Sequence, residues 1–236
     1  MVRYTLIFFL ILLSFLVFFV ILLSFPLHAN EKAGMVLDRE GNVTLVRQQR
    51  SIQLSEKDWL YKDDRILTGR SSSVEIKLID GSLVNVGELG DVYLLDLVYD
   101  PIKKDGFIDL KIATGAFRMV SGSIAKLGPD LMILQIPTAT VGIRGTGIIG
   151  KASKVGIENF VILVPDPDGH IGELVVKNTE GIVILRKANE GVTMIYPDRK
   201  LAKKKYTKKF IQNLIKQVPK FNSLHTKQFK SLFWLN

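Results

Sequence analysis

The sequence predicts a mainly β protein: a solenoid-like or rolled β-sandwich domain, with an apolar helix before it and a basic amphipathic helix after it. Three observations carry this. Short apolar or alternating stretches recur from Met35 onward, Gly, Pro, Asp or Asn punctuates nearly every gap, and no long helical period intervenes before Leu201.

The N-terminal element comes first. Arg3 precedes an apolar run from Thr5 to Phe25, broken only by Ser14 and Ser24 and ended by Pro26. Such a run is long enough to cross a hydrocarbon core of ~30 Å at ~1.5 Å per residue. Two readings stand: an uncleaved anchor over residues 5–25, or a long signal peptide cut near Ala29. Arg3 on one flank, with Glu31 offsetting Lys32 on the other, favours a cytoplasmic N-terminus. Either reading makes residues 30–236 periplasmic, with only about four residues before the membrane.

The exported part begins with Met35–Leu37 and Val43–Val46, β-branched runs around the turn Glu40-Gly41-Asn42. Ser51 to Thr68 is polar with spaced anchors, among them Leu54, Trp59, Leu60 and Ile66. Ser73–Leu78 alternates cleanly, Asp80-Gly81 is a turn signal, and Leu83–Val86 forms the next strand. Further strands are expected at Val92–Leu97, Ile108–Ile112, Ala116–Val120, Met132–Ile136, Phe160–Val164, Leu174–Val176, Ile182–Leu185 and Thr193–Ile195. The expected organisation is a targeting segment (1–29), a β-domain (30–150) continued by strands of the same domain (151–198), and a basic tail (199–236).

The tail differs in kind. The chain carries a formal net charge of +9 in 236 residues, yet Arg199 to Asn236 holds no acid. Removing that tail leaves a mildly acidic body, so the tail is built to meet something anionic. Leu201 to Val218 places Phe210, Ile211, Leu214, Ile215 and Val218 at helical spacing among Lys203, Lys204, Lys205, Lys208 and Lys209, and Pro219 ends the pattern. Two readings stay open: these lysines lie on an anionic membrane surface, or the apolar stripe packs on the β-domain and the lysines face water. Nucleic acid is not an expected partner, since an exported tail seldom meets it.

Catalytic chemistry finds little support. The chain has no cysteine, which removes disulfides, thiolate metal sites and cysteine nucleophiles. His28, His170 and His225 lie in no triad-like pattern. Gly145 to Gly150 fits G-x-G-x-x-G, but no βαβ unit surrounds it, and the dinucleotide fingerprint requires one. Asp166-Pro167-Asp168-Gly169-His170 reads as an exposed turn rather than a calcium loop, which would carry more carboxylates and a distal Glu. No enzyme, cofactor or metal is expected.

The unusual stretch is Ile136 to Gly147, with glycines at 142, 145 and 147 around Arg144. A guanidinium in β-forming sequence is partly buried and needs a carboxylate or carbonyls. Arg144 is therefore expected either to bind a partner or to form a core ion pair with Asp64 or Asp80.

Residues 137–147, Pro-Thr-Ala-Thr-Val-Gly-Ile-Arg-Gly-Thr-Gly, resemble the signature near the end of the FecR-domain family. Gly41–Val46, Asp64–Gly69, Ser73–Val86 and Leu110–Arg118 resemble earlier pieces of that family in the same order, so the likeness covers residues 34–150. Asp63 stands where the family commonly has Gly, and Gly147 replaces the residue that often leads into an aromatic strand. The resemblance implies a β-rich periplasmic domain that receives a message from an envelope partner. In signalling members a cytoplasmic segment relays that message to a sigma factor, and a four-residue stub implies that the relay is missing here or that another protein supplies it. Expected partners are an envelope protein or glycan.

Overall fold

The computed structural model describes residues 12–15 and 31–218. The expected apolar span at 5–25 lies almost wholly outside the described residues. Residues 12–15 are helical, and among the described residues no helix is long and apolar enough to cross a membrane. Residues 1–30 and 31–236 form two separate units.

The second unit is mainly β, in seventeen strands among the described residues. In chain order they are β1 (Lys32–Glu40), β2 (Val43–Arg47), β3 (Arg50–Gln53), β4 (Trp59–Tyr61), β5 (Arg65–Thr68), β6 (Ser73–Leu78), β7 (Leu83–Val86), β8 (Asp91–Asp100), β9 (Asp105–Val120), β10 (Met132–Ile136), β11 (Ala139–Arg144), β12 (Gly147–Ala152), β13 (Asn159–Val164), β14 (Glu173–Asn178), β15 (Gly181–Leu185), β16 (Glu190–Met194) and β17 (Lys203–Lys205). Helix α1 (Lys208–Ile215) follows.

Pairing divides the strands into two sheets joined through β9. Sheet I runs β4-β1-β6-β7-β9-β12-β13-β16-β17. Sheet II runs β3-β2-β5-β8-β9-β10-β11-β14-β15. All pairs are antiparallel except β9 with β10. Alternate residues of both sheets point into one shared apolar core, for example Val74 and Ile76 from sheet I and Leu94, Leu110 and Leu134 from sheet II.

Strand β9 corrects the expectation of two strands at 108–112 and 116–120. It is one strand of 16 residues that changes sheets midway. Its Thr114 still pairs in sheet II, whereas Gly115 pairs with Ala152 in sheet I. The buried positions switch there from even (Ile108, Leu110, Ile112) to odd (Phe117, Met119). Gly115 has φ +109°, a conformation that a side chain rarely adopts, and this lets the strand turn without breaking.

The tail is also corrected. The helix occupies only Lys208–Ile215, with Thr207 as N-cap accepting from the Phe210 N–H. Lys203–Lys205 form instead an edge strand on β16. Three consecutive lysines suit an edge, because they discourage pairing with another chain. The apolar stripe of α1 packs on the outer face of sheet I: Ile211, Leu214 and Val218 join Ala116, Ile149, Phe160, Ile162 and Val164 in a second apolar cluster. Sandwiched between helix and core, β13 is buried along its whole length, which explains its uninterrupted apolar run.

Candidate functional site

Two buried carboxylates, Asp64 and Asp80, stand at turns of this fold. Asp64 precedes β5 and is fully buried. Its carboxylate accepts from Arg47 Nε and Nη2, both at 2.7 Å, and from the Tyr61 N–H at 2.7 Å. Arg47 also donates to the Trp59 carbonyl at 2.9 Å and lies 4.5 Å over the Tyr61 ring. The hydrogen bond to Asp64 raises the Arg47 pKa, against an opposing effect of burial. Asp80 closes the β6–β7 turn: its carboxylate accepts from the Ser82 N–H and hydroxyl, each at 2.9 Å, and from the Ile124 N–H at 3.2 Å. Thr68 donates to the Gly87 carbonyl at 2.6 Å and accepts from the Gly90 N–H at 2.7 Å.

The signature at 137–147 is the corner at which the chain passes from β11 in sheet II to β12 in sheet I. Gly145 makes the turn with φ +64°. The Thr146 N–H donates to Ser121 Oγ at 2.8 Å, which pins the corner to the end of β9. Gly147–Ala152 then continues as a strand, so the G-x-G-x-x-G pattern opens no helix and presents no phosphate cradle. Asp166 spends its side chain on its own turn, accepting from the N–H groups of Asp168 (3.0 Å) and His170 (2.8 Å).

Arg144 pairs with neither expected acid. Asp64 and Asp80 are committed elsewhere, and Arg144 points outward from sheet II because its neighbour Ile143 points into the core. Its Nη1 donates to Glu173 Oε1, and Nη2 lies 3.3 Å from Asp130 Oδ1. Glu173 bridges Arg144 to Arg186 through its second oxygen. The Arg144 side chain keeps 32% of its exposure, and its Nε is buried without a hydrogen-bond partner among the described residues. The arginine is therefore a partly exposed group braced by two acids.

This cluster belongs to a wider polar face. By register, Arg65, Tyr93, Lys111, Gln135, Thr140 and Lys177 form one cross-strand row over the outside of sheet II. Arg65 is bidentate to Asp91 at 2.8 and 2.9 Å, and both Arg65 and Lys111 approach the Tyr93 ring. Gln135 donates to both oxygens of Asp109 at 2.9 Å. Burial raises the Asp109 pKa, opposed by Gln135 and reinforced by Asp96. Sequence reading does not find this row. Alternation marks each residue as outward, but only the strand order places them side by side.

The tail lysines are spread over two elements. Lys203 lies 3.5 Å from Glu190, and Lys204 sits 4.6 Å over the Tyr206 ring. Lys205 is exposed on β17, and Lys208 and Lys209 are exposed in the first turn of α1. A helix N-terminus already carries partial positive charge, so these two lysines concentrate positive potential there. Among the described residues, no group of three His, Cys, Asp or Glu could hold a metal ion.

Comparison with known proteins supports the fold. No protein-family profile matches the chain, and no curated protein matches it. Two crystal structures from Parabacteroides distasonis, each named as a "putative anti-sigma factor", are similar in fold. One is 14% identical with a TM-score of 0.52, the other 16% identical with 0.51, and each match covers 67% of both chains.

Proposed function

We propose that the chain is a non-catalytic component of envelope signal transduction. In this reading, residues 30–198 are a periplasmic FecR-like receiver domain that binds a protein partner. The segment 5–25 holds it at the inner membrane or is removed near Ala29, and a separate membrane partner carries the message inward. The observation that carries the reading is the fold shared over two thirds of the chain with two structures named for anti-sigma activity. The FecR-like order of motifs along the chain supports it.

The outer face of sheet II is the surface assigned to the partner. Arg144, at the end of β11 on this face, is the residue tested, because a guanidinium held in place by Glu173 and Asp130 is preorganised for an incoming carboxylate or carbonyl. Arg144→Ala is expected to change the unfolding free energy by only about 1 kcal/mol, as for partly exposed pairs, while reducing capture of the partner from cross-linked envelopes at least tenfold. Undiminished capture by Arg144→Ala and by Arg65→Ala would remove this face from consideration. A glycan partner is the second reading, favoured by the Tyr93 ring and the Gln135–Asp109 pair on one face of sheet II, two strands apart. Tyr93→Ala would then abolish binding to isolated envelope polysaccharide.

A further inference from the structure

Strand β15 has the composition of an interior strand and the position of an edge. Its run Ile182-Val183-Ile184-Leu185 is apolar at every position, a pattern that suits a strand covered on both faces. Strand β13 has the same pattern, and α1 covers it. In β15, Leu185 is fully buried and Val183 packs against the core. Ile182 and Ile184 alternate with them and lie on the outer face of sheet II, 59% and 36% exposed. Among the described residues β15 pairs with β14 alone.

The other sheet edges are blunted. Strand β17 is three lysines, β4 has only three residues, and β3 has four and begins with Arg50. Strand β15 has five residues, none of them charged and none proline. Its outward backbone groups belong to the two isoleucines. The Ile184 carbonyl faces away from β14, because Lys203 Nζ donates to it at 3.3 Å. In an antiparallel strand alternate residues direct N–H and C=O to the same side, so Ile182 faces the same way. Lys203 is a single long side chain that also lies 3.5 Å from Glu190, so it can yield the carbonyl to an incoming strand.

We propose that β15 pairs with β15 of a second copy of this chain, antiparallel about a two-fold axis through Val183. This register sets Ile182 opposite Ile184 of the second copy, and Ile184 opposite Ile182 of the second copy. Each pair exchanges both of its backbone hydrogen bonds, and the isoleucine side chains meet across the joint on one face. Val183 stands opposite Val183 of the second copy as a non-hydrogen-bonded pair. At either end Glu180 comes level with Arg186 of the second copy, so the same register matches opposite charges twice. The lysines of β17 repel their counterparts, which confines the pairing to sheet II. The inference goes beyond the partner reading and stands without it, because it uses the backbone edge of β15 and not the face around Arg144.

The chain has no native cysteine, so a single introduced thiol reports the register. Val183→Cys brings two thiols opposite one another at a Cα separation of about 4.5 Å, which a disulfide accepts. Ile182→Cys leaves its two thiols on a diagonal of about 7–8 Å, although Ile182 is the more exposed position and would cross-link faster by chance collision. The full chain is oxidised in neutral detergent, with salt to screen the lysines. Val183→Cys is expected to give covalent dimer about tenfold faster than Ile182→Cys. Adding Ile184→Lys should remove that dimer while leaving the circular dichroism spectrum in place. If Val183→Cys does not fold, sedimentation of the unsubstituted chain against Ile184→Lys decides, with a dimer dissociation constant about tenfold higher for the lysine variant as the expected result. Equal cross-linking of the two cysteine chains would overturn the proposal, since it would mean random collision. So would association unchanged by Ile184→Lys, or a monomer at every concentration.

Discussion

Asp64→Ala is expected to lower the stability of the β-domain by about 3–5 kcal/mol, the range for removing one partner of a buried ion pair. The carboxylate is fully buried and serves three donors on two elements: two nitrogens of the Arg47 fork from β2 and the Tyr61 N–H from β4. Alanine strands a guanidinium that is three-quarters buried and orphans a backbone N–H. Asp64→Asn keeps an acceptor for Tyr61 but loses the charge, so a smaller loss is expected. Denaturant unfolding followed by circular dichroism measures both. A change below about 1 kcal/mol, the range for exposed pairs, would mean that Arg47 rehydrates freely and that this corner does not hold the domain together.

Asp80→Ala follows the same logic at a second corner. Its carboxylate satisfies the Ser82 and Ile124 N–H groups and the Ser82 hydroxyl, and that hydroxyl in turn accepts from the Gly122 N–H. One side chain thus ties the β6–β7 turn to the segment that carries the chain from β9 to β10. That segment makes the parallel crossover, which no hairpin can hold in place. Orphaning buried donors costs about 1–3 kcal/mol each, and partial rehydration makes a total loss of about 2–4 kcal/mol the expected value. Tryptic cleavage after Lys126 should accelerate in parallel. Lost stability without faster cleavage at Lys126 would show that the crossover is held by other contacts.

Ser73–Leu78 and Leu83–Val86 are legible in the sequence because alternation and an Asp-Gly turn are local signals, and Gly81 indeed has φ +86°. The run at 203–205 is not, because lysines among helically spaced apolar residues also suit an exposed edge strand, and pairing with β16 decides between the two. For β9, a glycine between two alternating runs looks like a break. It is a bend, because each half finds a ladder in a different sheet. The signature around Arg144 stands out in the sequence, yet its acids do not. Asp130 and Glu173 lie 14 and 29 residues along the chain, and only the β11–β14 pairing brings Glu173 alongside.

By itself the sequence determined the β class, the turns, the polarity of each strand face and the basic, acid-free tail, because these follow from side-chain period and backbone preference within a few residues. The tertiary structure alone decided that two sheets share one strand, that Asp64 and Asp80 brace corners while Arg144 stands outward, and that α1 lies on sheet I. The physical reason is that a strand's partners are chosen by register and burial between segments distant in the chain. Alternation tells a residue which way to point, and strand order tells it what it will meet.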